Sequence, residues 1–271
     1  VEINGNKMVK IPKMYFRIDL AENQDVISGV AVSKEPRDIG DWYQSDEFYV
    51  GAYLNSLVNN VAYSKTNSLI NRTLGIANGY TAIKVNGDYF NLMKPKHYYT
   101  IYLLTLIEYA TKNPSYFITK DSSTITGSTD TILNDSGYNL ESGTFKYHNI
   151  EDFIGGNKIY VFGLMSDCGN IKYRTSTGKY YSLNNEYLDV DKLWISGIKW
   201  IKEHPFIILP CKFSEQKENT FYSKCTIDVS GNYNFVHGGR CSDNAGLLET
   251  KVILNTNPSR EIATRMIWEE I

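Results

Sequence analysis

The sequence predicts an α+β domain in which many short strands in irregular antiparallel sheets surround one principal helix, with long loops between them. Three observations carry that expectation. Short runs rich in Val, Ile, Tyr and Phe recur along the chain, clusters of Gly, Asn, Ser and Pro separate them, and only one segment keeps a helical period. The chain has 271 residues, of which 42% are hydrophobic. That length supports a core without disulfide staples, so a single domain over 1–271 is expected.

Each element has its own signal. Met8, Val9, Ile11, Met14, Tyr15, Phe16 and Ile18 form apolar runs around Pro12, which reads as strand pieces at a sheet edge because proline cannot donate to a ladder. Residues 33–41 form a loop bearing Pro and Gly, and 46–56 read as strand again. The helix is expected over 97–112, where Ile101, Leu104, Leu106, Ile107 and Ala110 supply an apolar face and Asn113-Pro114 a stop. Leu103 with Tyr98, Tyr102 and Tyr109 makes most of its circumference apolar, so neighbours should cover it on more than one side. From 119 to 142 the composition turns to Asp, Ser, Thr, Gly and Asn, the signature of a flexible insertion. Residues 158–165, 193–201, 206–209, 247–254 and 262–271 read as strands, although 193–201 has a spacing that also suits a helix. Turns are expected at 176–178 and 230–232.

Charge and composition exclude several classes of function. With 28 Lys+Arg against 30 Asp+Glu the net charge is −2 and no basic block appears, so no nucleic-acid partner is expected. No apolar run approaches the roughly 20 residues that span a bilayer, so no membrane insertion is expected, and no signal peptide is visible. The chain opens at Val1 with its first Met at position 8, and reads as the C-terminal part of something longer. The 21 Tyr and 25 Asn suit a recognition surface, and a low-GC genome would enrich the same residues. Cys168, Cys211, Cys225 and Cys241 lack zinc-site spacing; free thiols are favoured, and the even count leaves two disulfides open.

Catalytic patterns are missing from the sequence. There is no phosphate loop, no Gly-x-Ser-x-Gly elbow and no His-Glu-x-x-His pair, and His97, His148, His204 and His237 are scattered. No cofactor is expected. A structural calcium ion would find oxygen ligands at Asp38, Asp41, Asp46 and Glu47, but their spacing fits no calcium loop, and a solvated face is the better reading. The most informative stretch is 235–246. Two glycines after an apolar pair end a strand and allow close backbone approach, leaving Arg240 to Asn244 as a short polar loop.

The order of these motifs resembles phage tail and tail-fibre proteins with a C-type-lectin-like fold. Lys10-Ile11-Pro12-Lys13-Met14-Tyr15-Phe16 and Phe48-Tyr49-Val50-Gly51-Ala52-Tyr53 are similar to the family's opening. Leu103-Leu104-Thr105-Leu106-Ile107-Glu108-Tyr109 resembles its helix, and Asn149-Ile150-Glu151-Asp152 with Gly156-Asn157 resembles its central motif. Gly238-Gly239-Arg240-Cys241 and Ile262-Ala263-Thr264-Arg265-Met266 resemble closing elements shared with formylglycine-generating-enzyme-like domains and retroelement variable proteins. Ile159, Tyr160 and Cys241 stand where that family places tryptophans, and the enzymes' cysteine pair has no counterpart.

The resemblance implies a C-type-lectin-like receptor-binding module of a phage or phage-like tail, without enzymatic activity. It implies a homotrimer in the virion that meets a bacterial cell-surface glycan or protein and other tail proteins. It places the ligand surface at Tyr222, Tyr233, Arg240, Ser242, Asp243, Asn244 and Glu249. Their chemistry agrees, since Tyr offers a stacking face, Asn and Asp paired donors and acceptors, and Arg a fork for carboxylate or phosphate. Two other readings are a glycan-degrading hydrolase with two facing carboxylates and a purely structural virion component.

Overall fold

The computed structural model describes residues 1–22, 26–111, 124–153, 156–175, 178–186, 190–201, 204, 206–216, 224–227, 232–237, 250–254 and 262–270. Its first half holds β1 (Glu2–Ile3), β2 (Asn6–Ile11), β3 (Met14–Leu20), β4 (Ile27–Ser33), β5 (Trp42–Ser45), β6 (Phe48–Gly51), β7 (Ser56–Val58) and β8 (Val61–Tyr63). Then come α1 (Ile76–Lys84), β9 (Phe90–Leu92), α2 (Pro95–Tyr109), β10 (Gly137–Asn139), β11 (Thr144–Tyr147) and β12 (Ile150–Glu151). The remainder is β13 (Lys158–Asp167), β14 (Asn170–Arg174), β15 (Tyr180–Glu186), β16 (Val190–Trp200), β17 (Ile208–Ser214), β18 (Lys224–Ile227), β19 (Asn232–His237), β20 (Thr250–Leu254), β21 (Ile262–Ala263) and β22 (Met266–Trp268).

Among the described residues the architecture is mostly antiparallel sheet with two helices. A five-stranded sheet runs β1-β2-β6-β22-β9, so the early strand β2 and the late strand β22 flank the same β6. A nine-stranded sheet runs β15-β14-β13-β19-β20-β18-β16-β17, with β21 beside β13. Two of its pairings are parallel, β18 with β20 and β13 with β21. The principal core joins both sheets through α2: Phe48, Val50 and Ile267 on one side, and Val161, Leu164, Ile195, Ile198 and Phe235 on the other.

Several sequence expectations meet corrections. The strand expected over 193–201 is present as part of β16, ending at Trp200, whereas the strand expected to begin at Phe206 begins at Ile208, because Phe206 takes a left-handed backbone (φ 70°). The principal helix begins earlier than expected, because Pro95 at its first position has a φ already suited to a helix. It ends at Tyr109, where Ala110 turns left-handed (φ 47°). Tyr98, Tyr99, Ile101, Tyr102 and Leu103 are all buried, as an apolar circumference requires.

A second helix, α1, was not expected. Asn78, Gly79 and Thr81 give it weak propensity, and its helicity comes from packing. Gly79 lies against Thr264, so close that a Cβ there would sit 2.9 Å from the threonine methyl. The segment expected as a flexible insertion is anchored over its described part, 124–142. Thr126 and Thr129 are each 1% exposed, and Thr126 exchanges backbone hydrogen bonds with Asn67 and Ser68.

Candidate functional site

The nine-stranded sheet carries the loops on which the sequence places its ligand surface. β19 and β20 are antiparallel neighbours with His237 opposite Thr250, so the chain leaves and re-enters the sheet at one end across 238–249. Cys225 lies beside Thr250 on the other side, and β18 starts at that same end. Two polar segments, 217–223 and 238–249, therefore join the sheet side by side.

The root of this end is rigid. Tyr99 on α2 lies in a 2.8 Å hydrogen bond with His237 Nε2, and Tyr98 stacks on the imidazole at 4.9 Å. Both Tyr99 and His237 are fully buried, and burial pushes the Tyr99 phenol well above its ordinary value. It stays protonated, so the bond joins a neutral hydroxyl to the ring nitrogen. Phe235, also fully buried, anchors the same strand in the core.

Of the seven expected ligand residues, only Tyr233 has a described backbone. It pairs with Ser166 and Leu254, at the opposite end of β19 from His237. Four residue steps along the strand separate the two, about 13 Å. Tyr222, Arg240, Ser242, Asp243, Asn244 and Glu249 lie outside the described residues, as do Cys241 and the expected turn at 230–231. Tyr222 stands two residues before β18, and so precedes the loop-bearing end, whereas Tyr233 does not belong to it.

The buried ionisable groups are joined in structural networks. Arg265, fully buried, donates to the carbonyls of Gly51 (2.6 Å) and Glu151 (2.5 Å). The Glu151 carboxylate accepts from Gly127 N (2.9 Å), Thr129 N (2.8 Å) and Thr129 Oγ1 (2.7 Å), closing the 127–129 turn. Asp152 is pushed up to about 7 by burial, against the opposing pull of its Asn157 hydrogen bond and the Arg265 charge. Asp152 is 2% exposed, and its carboxyl accepts from the Asn157 side chain at 2.7 Å.

At the start of α2, Glu269 accepts from Lys94 (2.6 Å), Lys96 (2.6 Å) and His97 Nε2 (3.1 Å). Burial alone would raise Glu269, but these hydrogen bonds outweigh it and hold the carboxyl well below the usual range. His97 Nδ1 accepts from Lys94 N (3.2 Å), so the proton sits on Nε2, facing Glu269. Burial pushes His97 down to about 4. The other two described histidines pack at the surface: His148 pairs with Glu108 at 2.7 Å and His204 lies beside Tyr173.

A groove of about 690 Å³ opens between β2 and the 129–133 segment, lined in part by Lys7, Lys10, Tyr53, Asp130 and Lys146. Tyr53 and Thr66 both donate to Asp130, and Lys7 donates to Tyr53 at 3.5 Å. Burial and the Asp130 hydrogen bond raise the Tyr53 phenol, which therefore stays protonated. The chemistry on offer here is hydrogen bonding.

Of the four acidic residues considered as oxygen ligands for calcium, Asp46 accepts from Gln44 at 2.6 Å and Glu47 pairs with Lys10 at 2.9 Å. Among the described residues no three His, Cys, Asp or Glu side chains converge on a metal position. Cys168, Cys211 and Cys225 are free thiols. No helix among the described residues is long and apolar enough to cross a membrane. No protein-family model matches the chain, and a search of curated proteins finds no match.

Proposed function

We propose that this chain is a non-enzymatic recognition domain of C-type-lectin-like fold, the receptor-binding part of a phage or phage-like tail fibre or tail tip. It attaches the virion to a bacterial cell-surface glycan or protein and acts as a homotrimer beside other tail proteins. The observation that carries this reading is the pairing of His237 with Thr250, which roots the polar 238–249 segment on two adjacent strands of a large sheet. Function-bearing loops need such a scaffold, because a rigid root lowers the entropy lost on binding. The shared sheet of β2, β6 and β22 supports the same reading, since it brings the two ends of the sequence resemblance together.

The test is a binding measurement. Purified protein should bind host cell-wall fractions saturably, and the double variant Arg240→Ala, Asn244→Ala should lose at least tenfold in affinity. No saturable binding by the wild type, or full binding by the double variant, overturns the reading. Release of reducing ends from host polysaccharide would replace it with the hydrolase.

A further inference from the structure

We infer that a second ligand site lies on β13, β14 and β15, and that it takes an acidic saccharide. Arg174 is half-buried, and its guanidinium lies 5.2 Å from the Phe162 ring centroid and 6.0 Å from that of Tyr180. Phe162 stacks on Tyr80 of α1 at 5.1 Å with 18° between the planes, and Lys84 Nζ lies 5.8 Å from the Tyr80 ring. The result is a continuous surface ladder of cation, ring, ring, cation and ring. Lys84 donates to the Asp88 carbonyl at 2.6 Å, whereas the Arg174 side chain has neither a hydrogen bond nor an ion pair among the described residues.

A half-buried guanidinium beside aromatic rings is partly stripped of water and still offers N–H donors, which suits bidentate capture of a carboxylate or phosphoryl group. Tyr180, opposite Arg174 in the β14–β15 register, is 49% exposed on the outermost strand of the sheet. Exposed tyrosine rings give a sugar ring an apolar face to lie on and a hydroxyl to bond. On the same side of β15, Ser182 donates to Asn170 at 2.8 Å, adding polar groups suited to sugar hydroxyls. The chain's net charge of −2 argues against a long polyanion such as nucleic acid, so a short acidic saccharide that offers an acid group to Arg174 is the matching ligand.

The position also fits. Arg174 lies across from Gly163 of β13, and β14 ends at Arg174 on its way toward the end of the sheet where Ile159 pairs with His237. The site goes beyond the loop surface proposed above and shares with that reading only the idea that the chain recognises a cell-surface glycan.

The experiment titrates the full chain by calorimetry with tetragalacturonate, with its methyl ester and with mannose 6-phosphate. Saturable binding of tetragalacturonate or mannose 6-phosphate is expected, and which of the two binds identifies the acid group as carboxylate or phosphoryl. The ester should bind at least tenfold more weakly than the free acid. Arg174→Gln should lose at least tenfold for the acidic ligand, Arg174→Lys should restore part of it, and Tyr180→Ala should weaken acid and ester alike. Tyr180 is exposed enough for its variant to fold, so it decides the matter if Arg174→Gln does not. If neither acidic ligand binds the wild type, or if both Arg174→Gln and Tyr180→Ala bind as the wild type does, the inference is overturned. Loss of cell-wall binding in the Arg240, Asn244 double variant alongside that result would leave the loop reading standing and remove only this site.

Discussion

In the five-stranded sheet, β22 buries Met266 and Ile267 and adds charge at both ends: Arg265 just before it reaches two backbone carbonyls, and Glu269 just after it gathers Lys94, Lys96 and His97. In the nine-stranded sheet, β13, β16 and β19 are held by apolar side chains, Leu164, Ile195, Ile198 and Phe235, all at most 1% exposed. The two modes of attachment do different work. Apolar burial is strong but non-directional, so it builds a platform tolerant of varied loops at its end. Hydrogen bonds to a buried guanidinium are directional and fail sharply when a partner goes, so they fix how a late strand closes onto an early one.

The largest expected effect breaks the charged side. Arg265→Met removes both carbonyl contacts and the positive charge facing Asp152, at a cost of roughly 3–5 kcal/mol. Urea unfolding of the variant should show that loss, and a change below about 1 kcal/mol would mean that the apolar core alone closes the sheet.

A smaller effect depends on pH. His97 has a folded value of about 4 against an ordinary 6.5, so its contribution is present above 6.5 and is lost as pH falls toward 4. Asp152 runs the other way: its folded value of about 7 makes stability fall as pH rises between about 4 and 7. The wild type should therefore change little across that window. His97→Gln should instead lose stability steadily with rising pH, because only the Asp152 slope remains. The gap between the two curves should change by on the order of 3 kcal/mol between pH 4 and 6.5, measured by urea unfolding at stepped pH. Parallel curves would show that His97 does not titrate differently on folding.

The smallest effect sharpens the comparison at the loop end. Tyr99→Phe removes one neutral hydrogen bond to His237 and should cost roughly 0.5–1.5 kcal/mol. Its cell-wall affinity should fall by more than that stability loss accounts for, since His237 is the last residue before the loop. An unchanged affinity would mean that the loop holds its shape without that root.

Much of the fold was legible from residue patterns. The apolar runs around Pro12, the strand over 158–165 and the helix through Leu103 and Leu104 are local signals, set by periodicity and propensity. Helix α1 was not legible, because Gly79 spoils its local signal and the reason for that glycine is Thr264, far along the chain. The candidate site was legible in part. The Gly-Gly stop after His237 marked the loop, but Tyr233 falls at the far end of its strand, and strand register is not written locally. Arg174 and Phe162 drew no notice in the sequence, since nothing in their spacing announces that a bulged strand and a hairpin will place a ring beside a guanidinium.

By itself, the sequence determined an α+β chain of short strands, a near balance of charge, and the polar character of its loops. These follow from composition and from periods of two and 3.6 residues, which act over a few neighbours. Only the tertiary structure decided that Arg265 meets Gly51 and Glu151, 214 and 114 residues away, and that Arg174 stands beside two rings. Such meetings depend on sheet order and register, which emerge from the packing of the whole core and not from any segment alone.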